Sequence, residues 1–216
     1  MKSVLVIGTG NFGTHLTRRL AALGNEIMIV DKDERPMEDL LPIVAGAKIG
    51  DCTDLKVLQS LDVPGFDVCF VCIGGDFQAN LEITSQLKDL GAKQVISKAN
   101  KDLHAKFLER NGADEVVYPD RDIAEKTAVA YSSDQVFDFI ELADGYSIYE
   151  IAPEKKWVGK TIQQVGVRSN YRINIVAVKT LNGLEMNPRP DYVFKTEEHL
   201  LVLGHRDVIA KLVEHY

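Results

Sequence analysis

The chain has 216 residues, 45% hydrophobic and 26% charged, with a formal net charge of −7. That length can bury a core without staples and fits one large domain or two small ones, while the acidic balance argues against a nucleic-acid partner. The longest dense apolar run, Val68 to Ile73, is far too short to span a bilayer, and the first residues enter a strand pattern with no signal-peptide pattern. A cytoplasmic protein able to dock on a membrane partner is expected.

In chain order, the first 118 residues alternate between strand-like and helix-like segments. Lys2–Ile7 reads as a strand. Asn11–Leu23 reads as a helix with Phe12, Leu16, Leu20 and Leu23 on one face, ended by Gly24. Glu26–Val30 is a second strand, and Asp33–Val44 reads as helical up to a break near Pro42. Ala47–Gly50 is a short third strand, followed by a short helix from Asp54. Phe66–Ile73 is a near-continuous apolar strand, as in a sheet covered on both faces. Phe77–Leu90 is a helix closed by Gly91, Gln94–Ser97 a strand, Leu103–Asn111 a helix and Glu115–Tyr118 a strand. Six strands alternating with helices imply an α/β fold, a Rossmann-like doubly wound parallel sheet.

Pro119-Asp120 breaks this rhythm. Ile123–Ala130 has helical character, and Tyr131-Ser132-Ser133 reads as a hinge or linker. Val136–Leu142 and Tyr146–Ile151 then read as strands, and Thr161–Val165 as a short helix. Asn174–Thr180, an Asn182-Gly183 turn and Glu185–Met186 read as a hairpin. His199–Leu203 is a last strand and Asp207–Val213 a last helix. The expected organisation is residues 1–118 as a nucleotide-binding domain, 119–134 as a crossover helix and linker, and 135–216 as a small α+β domain.

Gly8-x-Gly10-x-x-Gly13 lies between the first strand and the first helix. Glycines there let the chain turn sharply, bring backbone N–H groups to phosphate oxygens and pack the helix tightly on the strand. The helix N-terminus adds about half a positive charge. Thr9, Asn11 and Phe12 complete the loop, and Asp31, followed by Lys32, closes the second strand. A carboxylate there accepts hydrogen bonds from ribose hydroxyls and repels a 2′-phosphate. Gly50-Asp51-Cys52-Thr53 closes the third strand toward the same crevice; Asp51 reads either as an adenine contact or, with Thr53, as a cap for the next helix. Ile73-Gly74-Gly75 closes the fourth strand and permits close ligand approach or makes a turn.

Of the three cysteines, Cys69 and Cys72 resemble half a metal site. In an extended strand, however, a spacing of three turns the two thiols to opposite faces, so buried core cysteines are expected. None of His15, His104, His199, His205 and His215 has a metal-binding spacing with a carboxylate partner, and solvated or packing roles are expected. Trp157 is expected to pack the second domain.

The residues also resemble a family. Val6-Ile-Gly-Thr-Gly-Asn-Phe-Gly13, Ile29-Val-Asp31, Gly50-Asp-Cys-Thr53, Lys98-Ala-Asn100, Leu108-Glu-Arg-Asn-Gly-Ala-Asp114 and Val117-Tyr-Pro-Asp120 are similar to the RCK, or TrkA-type, regulatory subunits of bacterial potassium-uptake systems, most of all the Ktr type. Gly159-Lys160-Thr161, Val167-Arg168, Tyr171, Ile175-Val-Ala-Val178 and Leu203-Gly204 extend the resemblance through the second half.

The resemblance implies a non-enzymatic subunit forming a homo-oligomer, commonly an octameric ring, under a dimeric membrane potassium translocator. Exchange of ATP, ADP or NAD(H) would reshape that ring. Gly8, Gly10 and Gly13 would hold phosphates, Asp31 the ribose and Asp51 the adenine. Lys98 would reach the terminal phosphates or form a surface salt bridge. Ktr-type members often carry arginine where this chain has Asn11; the missing charge-assisted bond is worth about 1.5–3 kcal/mol, which leaves ATP, ADP, AMP and NAD(H) as candidates. Family members place a cation-bridging glutamate where this chain has Asp120, which reads as an oxygen ligand for Mg²⁺ or Ca²⁺ or as a helix N-cap. In some relatives the second domain binds cyclic di-AMP, and Arg168, Asn174, Ile175 and Pro190 align with that pocket. Two other readings are a small NAD-dependent oxidoreductase, for which no acid/base constellation is evident in the second domain, and a gating subunit of another cation transporter or antiporter.

Overall fold

The structure is a computed structural model that describes residues 1–132 and 136–213. The chain divides into two compact units, Met1–Arg121 and Asp122 onward.

The first unit has strands β1 (Ser3–Ile7), β2 (Glu26–Asp31), β3 (Gly46–Ile49), β4 (Val68–Val71), β5 (Val95–Lys98) and β6 (Glu115–Val117). All pair in parallel, in the order β3-β2-β1-β4-β5-β6. The chain builds outward from β1 in one direction, then crosses to β4 and builds outward in the other. The reversal leaves a crevice beyond the carboxyl ends of β1 and β4, where open α/β sheets bind ligands.

Both faces of this sheet are covered. Along β1 the side chains alternate: Leu5 and Ile7 join Val30, Leu58, Cys69, Val71, Ile83 and Val95, while Val4 and Val6 join Ile27, Ile29, Leu40, Val68 and Cys72. Cys69 and Cys72 thus lie on opposite faces, buried and free, and burial pushes their thiols up to about 12, as it does that of Cys52.

Helix α1 (Asn11–Ala22) meets the sheet differently from its apolar pattern. Gly13 and Thr17 are its buried residues, with Phe12, Leu16 and Leu20 packed partly buried beside them. Leu23 follows the helix as its C-cap and is 61% exposed, so it drops out of the predicted face. The segment expected to be helical up to Pro42 is a 3-10 helix, Arg35–Ile43, which runs through that proline. Pro42 has no N–H to donate, and nine residues is a long run for this tighter winding. Beyond it come α2 (Leu55–Gln59), a 3-10 turn at Val63–Gly65 that the sequence reading missed, α3 (Phe77–Asp89) and α4 (Asp102–Arg110). That turn delays the start of β4 past Phe66.

Helix α5 (Pro119–Ser132) carries the chain from the first unit into the second. Tyr131 and Ser132, expected in a hinge, belong to this helix; Ser133 lies outside the described residues. Asp120 is within the first turn, so the N-cap reading of Asp120 is corrected. Pro119 opens the helix because its missing N–H would be unpaired there in any residue.

The second unit is an antiparallel sheet of β7 (Val136–Ala143), β8 (Tyr146–Ile151), β9 (Asn174–Thr180), β10 (Gly183–Met186) and β11 (His199–His205), in the order β10-β9-β11-β8-β7. Helices α6 (Ile162–Val165), α7 (Val167–Tyr171) and α8 (Arg206–Val213) accompany it. Trp157 and Phe194 are buried at the centre of its core with Ile151, Val178, Leu200 and Val202. Thr161 and Gln164 form a reciprocal capping box at α6. The β9–β10 turn is Leu181-Asn182, one residue earlier than expected, because Gly183 takes φ +126° as the first residue of β10. Helix α7, set between left-handed Gly166 and Arg172, was not foreseen.

Candidate functional site

The chain leaves β1 at Gly8, which takes φ +91° and donates its N–H to the Val30 carbonyl at 2.8 Å. A Cβ on Gly13 would stand 2.0 Å from the Gly8 carbonyl oxygen, so only glycine lets α1 close onto the loop. Gly10 differs: no heavy atom lies within 4 Å of its Cβ position. Gly10 is the N-cap of α1, offers no side-chain hydrogen bond, and is followed by a first turn without acidic residues. The first N–H groups of α1 therefore have no side-chain cap, an arrangement suited to an anion.

Asp31 anchors this loop. Its Oδ2 accepts from the Thr9 N–H at 2.6 Å and from the Thr9 hydroxyl at 2.8 Å, and its Oδ1 accepts from the Asp33 N–H at 3.0 Å. One Oδ1 lone pair is left for a ribose hydroxyl. Thr9 itself is buried, and its carbonyl accepts from the Thr14 hydroxyl at 2.7 Å. Sequence reading placed Thr9 in the loop without this clasp.

Around the loop lies a cleft of about 740 Å³. Gly8, Gly10, Asp31, Lys32, Asp51, Cys52, Ile73 and Gly74 line it, as sequence reasoning grouped them. Thr9, Asn11, Phe12, Gly13 and Lys98 are not among the lining residues. Lys98 approaches all the same: its Nζ lies 5.8 Å from the Phe12 ring centroid and 3.3 Å from the Cβ position of Gly74. Among the described residues Lys98 forms no salt bridge.

Asp51 is fixed by its neighbour. Its Oδ1 accepts from the Thr53 N–H at 2.9 Å and the Thr53 hydroxyl at 2.8 Å, and these bonds hold its carboxyl below the usual carboxylate range. The cap of α2 is Asp54, which accepts from the Lys56 N–H at 3.0 Å, so the capping role considered for Asp51 or Thr53 falls to Asp54.

The wall that sequence reasoning missed is α3. Asp76, Gln78, Ala79, Glu82 and Ile83 line the cleft from it. Asp76 caps the helix by accepting from the Ala79 N–H at 3.0 Å, and Gln78 donates to Glu82 at 3.0 Å. A polar pair at i and i+4 just after Gly74-Gly75 was the available signal. Behind that wall Asn80, buried, donates to the Ile73 carbonyl at 2.8 Å and the Lys98 carbonyl at 2.9 Å, joining the ends of β4 and β5.

A second cleft, about 590 Å³, lies in the second unit. Arg168, Ile175 and Pro190 line it together with Gln163 and Pro188. Asn174 is not among the lining residues and lies exposed at the start of β9. Around Asp120, as elsewhere among the described residues, no group of three or more His, Cys, Asp or Glu gathers. His104 stacks on Phe77, and His199 stacks on Phe137 while its Nδ1 lies 2.6 Å from Glu150. His215 lies outside the described residues. Among them, no helix is long and apolar enough to cross a membrane.

Comparison with known proteins gives two domain matches, the TrkA-N domain over residues 4–119 and the TrkA-C domain over residues 146–215. The chain is 37% identical over 203 residues to Ktr system potassium uptake protein C of Bacillus subtilis (strain 168), covering 94% of this chain and 92% of that protein. It is 31% identical over 210 residues to Ktr system potassium uptake protein A of the same strain, covering 97% and 95%. A solved structure of the GsuK channel bound to NAD aligns with a TM-score of 0.68 and 20% identity, over 98% of this chain and 38% of that longer one.

Proposed function

Because the chain belongs to the Ktr and TrkA family of potassium-uptake proteins, we propose that it is a nucleotide-sensing regulatory subunit that gates a membrane potassium translocator. The observation that carries this reading is the cleft at the carboxyl ends of β1 and β4, where an uncapped helix N-terminus, the bare Gly10 and the anchored Asp31 converge. These groups suit the phosphates and ribose of an adenine nucleotide or NAD(H). Gly8, Gly10, Gly13 and the α1 N-terminus hold phosphate, Asp31 the ribose and Asp51 the adenine; Lys98, beside Gly74, meets the outer phosphates.

Residues 1–118 act as the sensing domain, 119–134 as the crossover and 135–216 as the C-terminal domain. A subunit of this kind works from the cytoplasmic face of the membrane, as part of an oligomeric ring, without chemistry of its own. Ligand exchange shifts the ring between conformations that differ in their contacts with nucleotide, and the pore follows. Asn11 brings no charge to the outer phosphate, so discrimination of ATP from ADP is weak and NAD(H) competes. Asp120 serves as an oxygen ligand for Mg²⁺ or Ca²⁺ shared with a second copy. Arg168, Ile175 and Pro190 form the floor of a cyclic di-AMP site, with Asn174 at its edge.

Calorimetric titration with ATP, ADP, NADH and cyclic di-AMP, together with light scattering, tests this. Adenine nucleotide binding by an oligomer is expected. A monomer that binds none of them, or that oxidises NADH with a small substrate, would overturn the reading.

A further inference from the structure

Beyond the cleft, a short chain of contacts leads from its wall to the start of α5. Gly74 lines the cleft. Its carbonyl accepts from the Asn100 side-chain amide. The Asn100 backbone carbonyl accepts from the Tyr118 hydroxyl at 2.6 Å. Tyr118 is the residue immediately before α5, and the Arg121 guanidinium lies 4.9 Å from its ring centroid. Arg121 also pairs with Asp102, in the first turn of α4, at 3.4 Å. One loop, Ala99 to Lys101, thus touches both the cleft wall and the first turn of the helix that leaves the unit.

A second observation marks Asn100 as more than a brace. Its Oδ1 is buried and has no hydrogen-bond partner. The Cβ position of Gly74 lies 3.5 Å from that oxygen and 3.3 Å from Lys98 Nζ. An acceptor without a donor and an ammonium without a carboxylate therefore flank the same bare glycine. A buried orphan acceptor is unfavourable, and an ammonium against the same glycine is the group placed to relieve it by a side-chain movement. An anionic group arriving in the cleft beside Gly74 competes for the same ammonium.

We propose that Asn100 and Tyr118 relay the occupancy of the cleft to the N-terminus of α5. This rests on the nucleotide reading above and deepens it. With no anion in the cleft, Lys98 stands beside Gly74 and the Asn100 Oδ1 goes unpaired, so the ammonium is free to lean toward it. With a phosphate beside Gly74, Lys98 turns to the ligand, the Asn100 amide readjusts against the Gly74 carbonyl, and the Tyr118 hydroxyl on the Asn100 carbonyl follows. Asn100 and Tyr118 are positioning residues; neither needs to touch the ligand.

The test is hydrogen–deuterium exchange of the full chain with and without ADP and NADH, followed in peptides covering α5, with affinities from calorimetry and melts to check folding. In the wild type, ligand changes α5 exchange by about fivefold. Tyr118→Phe keeps the ring and its cation–π contact, binds ADP like wild type, and loses that response. Asn100→Asp sets a carboxylate beside Lys98, pins the ammonium, and weakens ADP by roughly tenfold. A wild type that binds neither nucleotide would overturn the nucleotide reading and the relay with it. Binding with α5 unmoved, or moved equally in Tyr118→Phe, would overturn the relay alone, as would an Asn100→Asp chain with wild-type affinity.

Discussion

The two sheets of this molecule treat their strands in opposite ways. In the first unit, β1 buries Val4, Leu5, Val6 and Ile7 in succession, because helices cover both faces. In the second, β7 is an edge strand that leaves Phe137, Ile140 and Leu142 between 43% and 57% exposed. In the parallel sheet, topology fixes where a ligand goes: strand ends, tight turns and a helix N-terminus converge at one rim. In the antiparallel sheet no such rim exists, and the cleft there is assembled from α6, α7 and the Pro188–Pro190 loop. Its identity depends on particular side chains.

The contrast can be broken most forcefully with alkali. All three cysteines lie in the first unit, and burial raises their thiols from 9.0 to about 12. A raised folded pKa means that this contribution to stability is complete below pH 9 and is lost as pH rises toward 12. The sole tryptophan, Trp157, is buried in the second unit. The second unit carries a group of the same sign, Tyr192, whose hydroxyl burial also pushes up, against three thiols in the first. The first unit should therefore unfold by circular dichroism at a lower alkaline pH than the one at which Trp157 fluorescence shifts, and coincident transitions would refute the ordering. A paired truncation sharpens the contrast further. Leu5→Ala should cost about 2–5 kcal/mol in urea titrations, whereas Ile140→Ala should stay within about 0.5 kcal/mol. Comparable losses at the two sites would mean that β7 is covered in solution.

Gly13→Ala should cost about 1–3 kcal/mol, because the new Cβ meets the Gly8 carbonyl, and should weaken nucleotide binding as α1 backs away. A variant with unchanged melting and affinity would show that the loop relaxes freely. Asp31→Ala should weaken ribose-containing ligands by roughly tenfold, since it removes both the ribose acceptor and the clasp on Thr9. Free phosphate should lose less, through the slackened loop alone, and an equal loss for both would mean that Asp31 acts only by supporting the loop. The smallest effect belongs to Arg168→Ala: nucleotide affinity unchanged by calorimetry, cyclic di-AMP affinity reduced.

Where regular repetition governs, the sequence was readable. The six parallel strands, the glycine loop and Asp31 follow from apolar runs punctuated by turn residues, and each strand end could be placed within a residue or two. The errors arise where a local rule met a tertiary one. The apolar stripe on α1, Phe12, Leu16 and Leu20, packs on the sheet only partly buried, while Gly13 and Thr17 beside it are the residues fully buried. The α3 wall of the cleft stayed hidden because its lining residues are polar and ordinary in sequence. The Asn80 and Asn100 bonds reach 18 and 26 residues along the chain, beyond any local pattern. In the second unit, α7 is a five-residue helix held between two left-handed residues, too short for periodicity to register.

The glycines of the loop carry one more consequence. Gly13 is required by the protein's own backbone; Gly10 meets nothing within 4 Å and has φ −62°, a value any residue adopts. A methyl group at Gly10 thus meets no neighbour in the fold and, on the proposed function, projects toward the phosphates. One motif therefore holds two kinds of allele. Gly13→Ala is a folding lesion. On the proposed function, Gly10→Ala should fold normally yet lose nucleotide binding, which would make it a dominant reagent for asking how many subunits of an assembly must hear the signal before it responds.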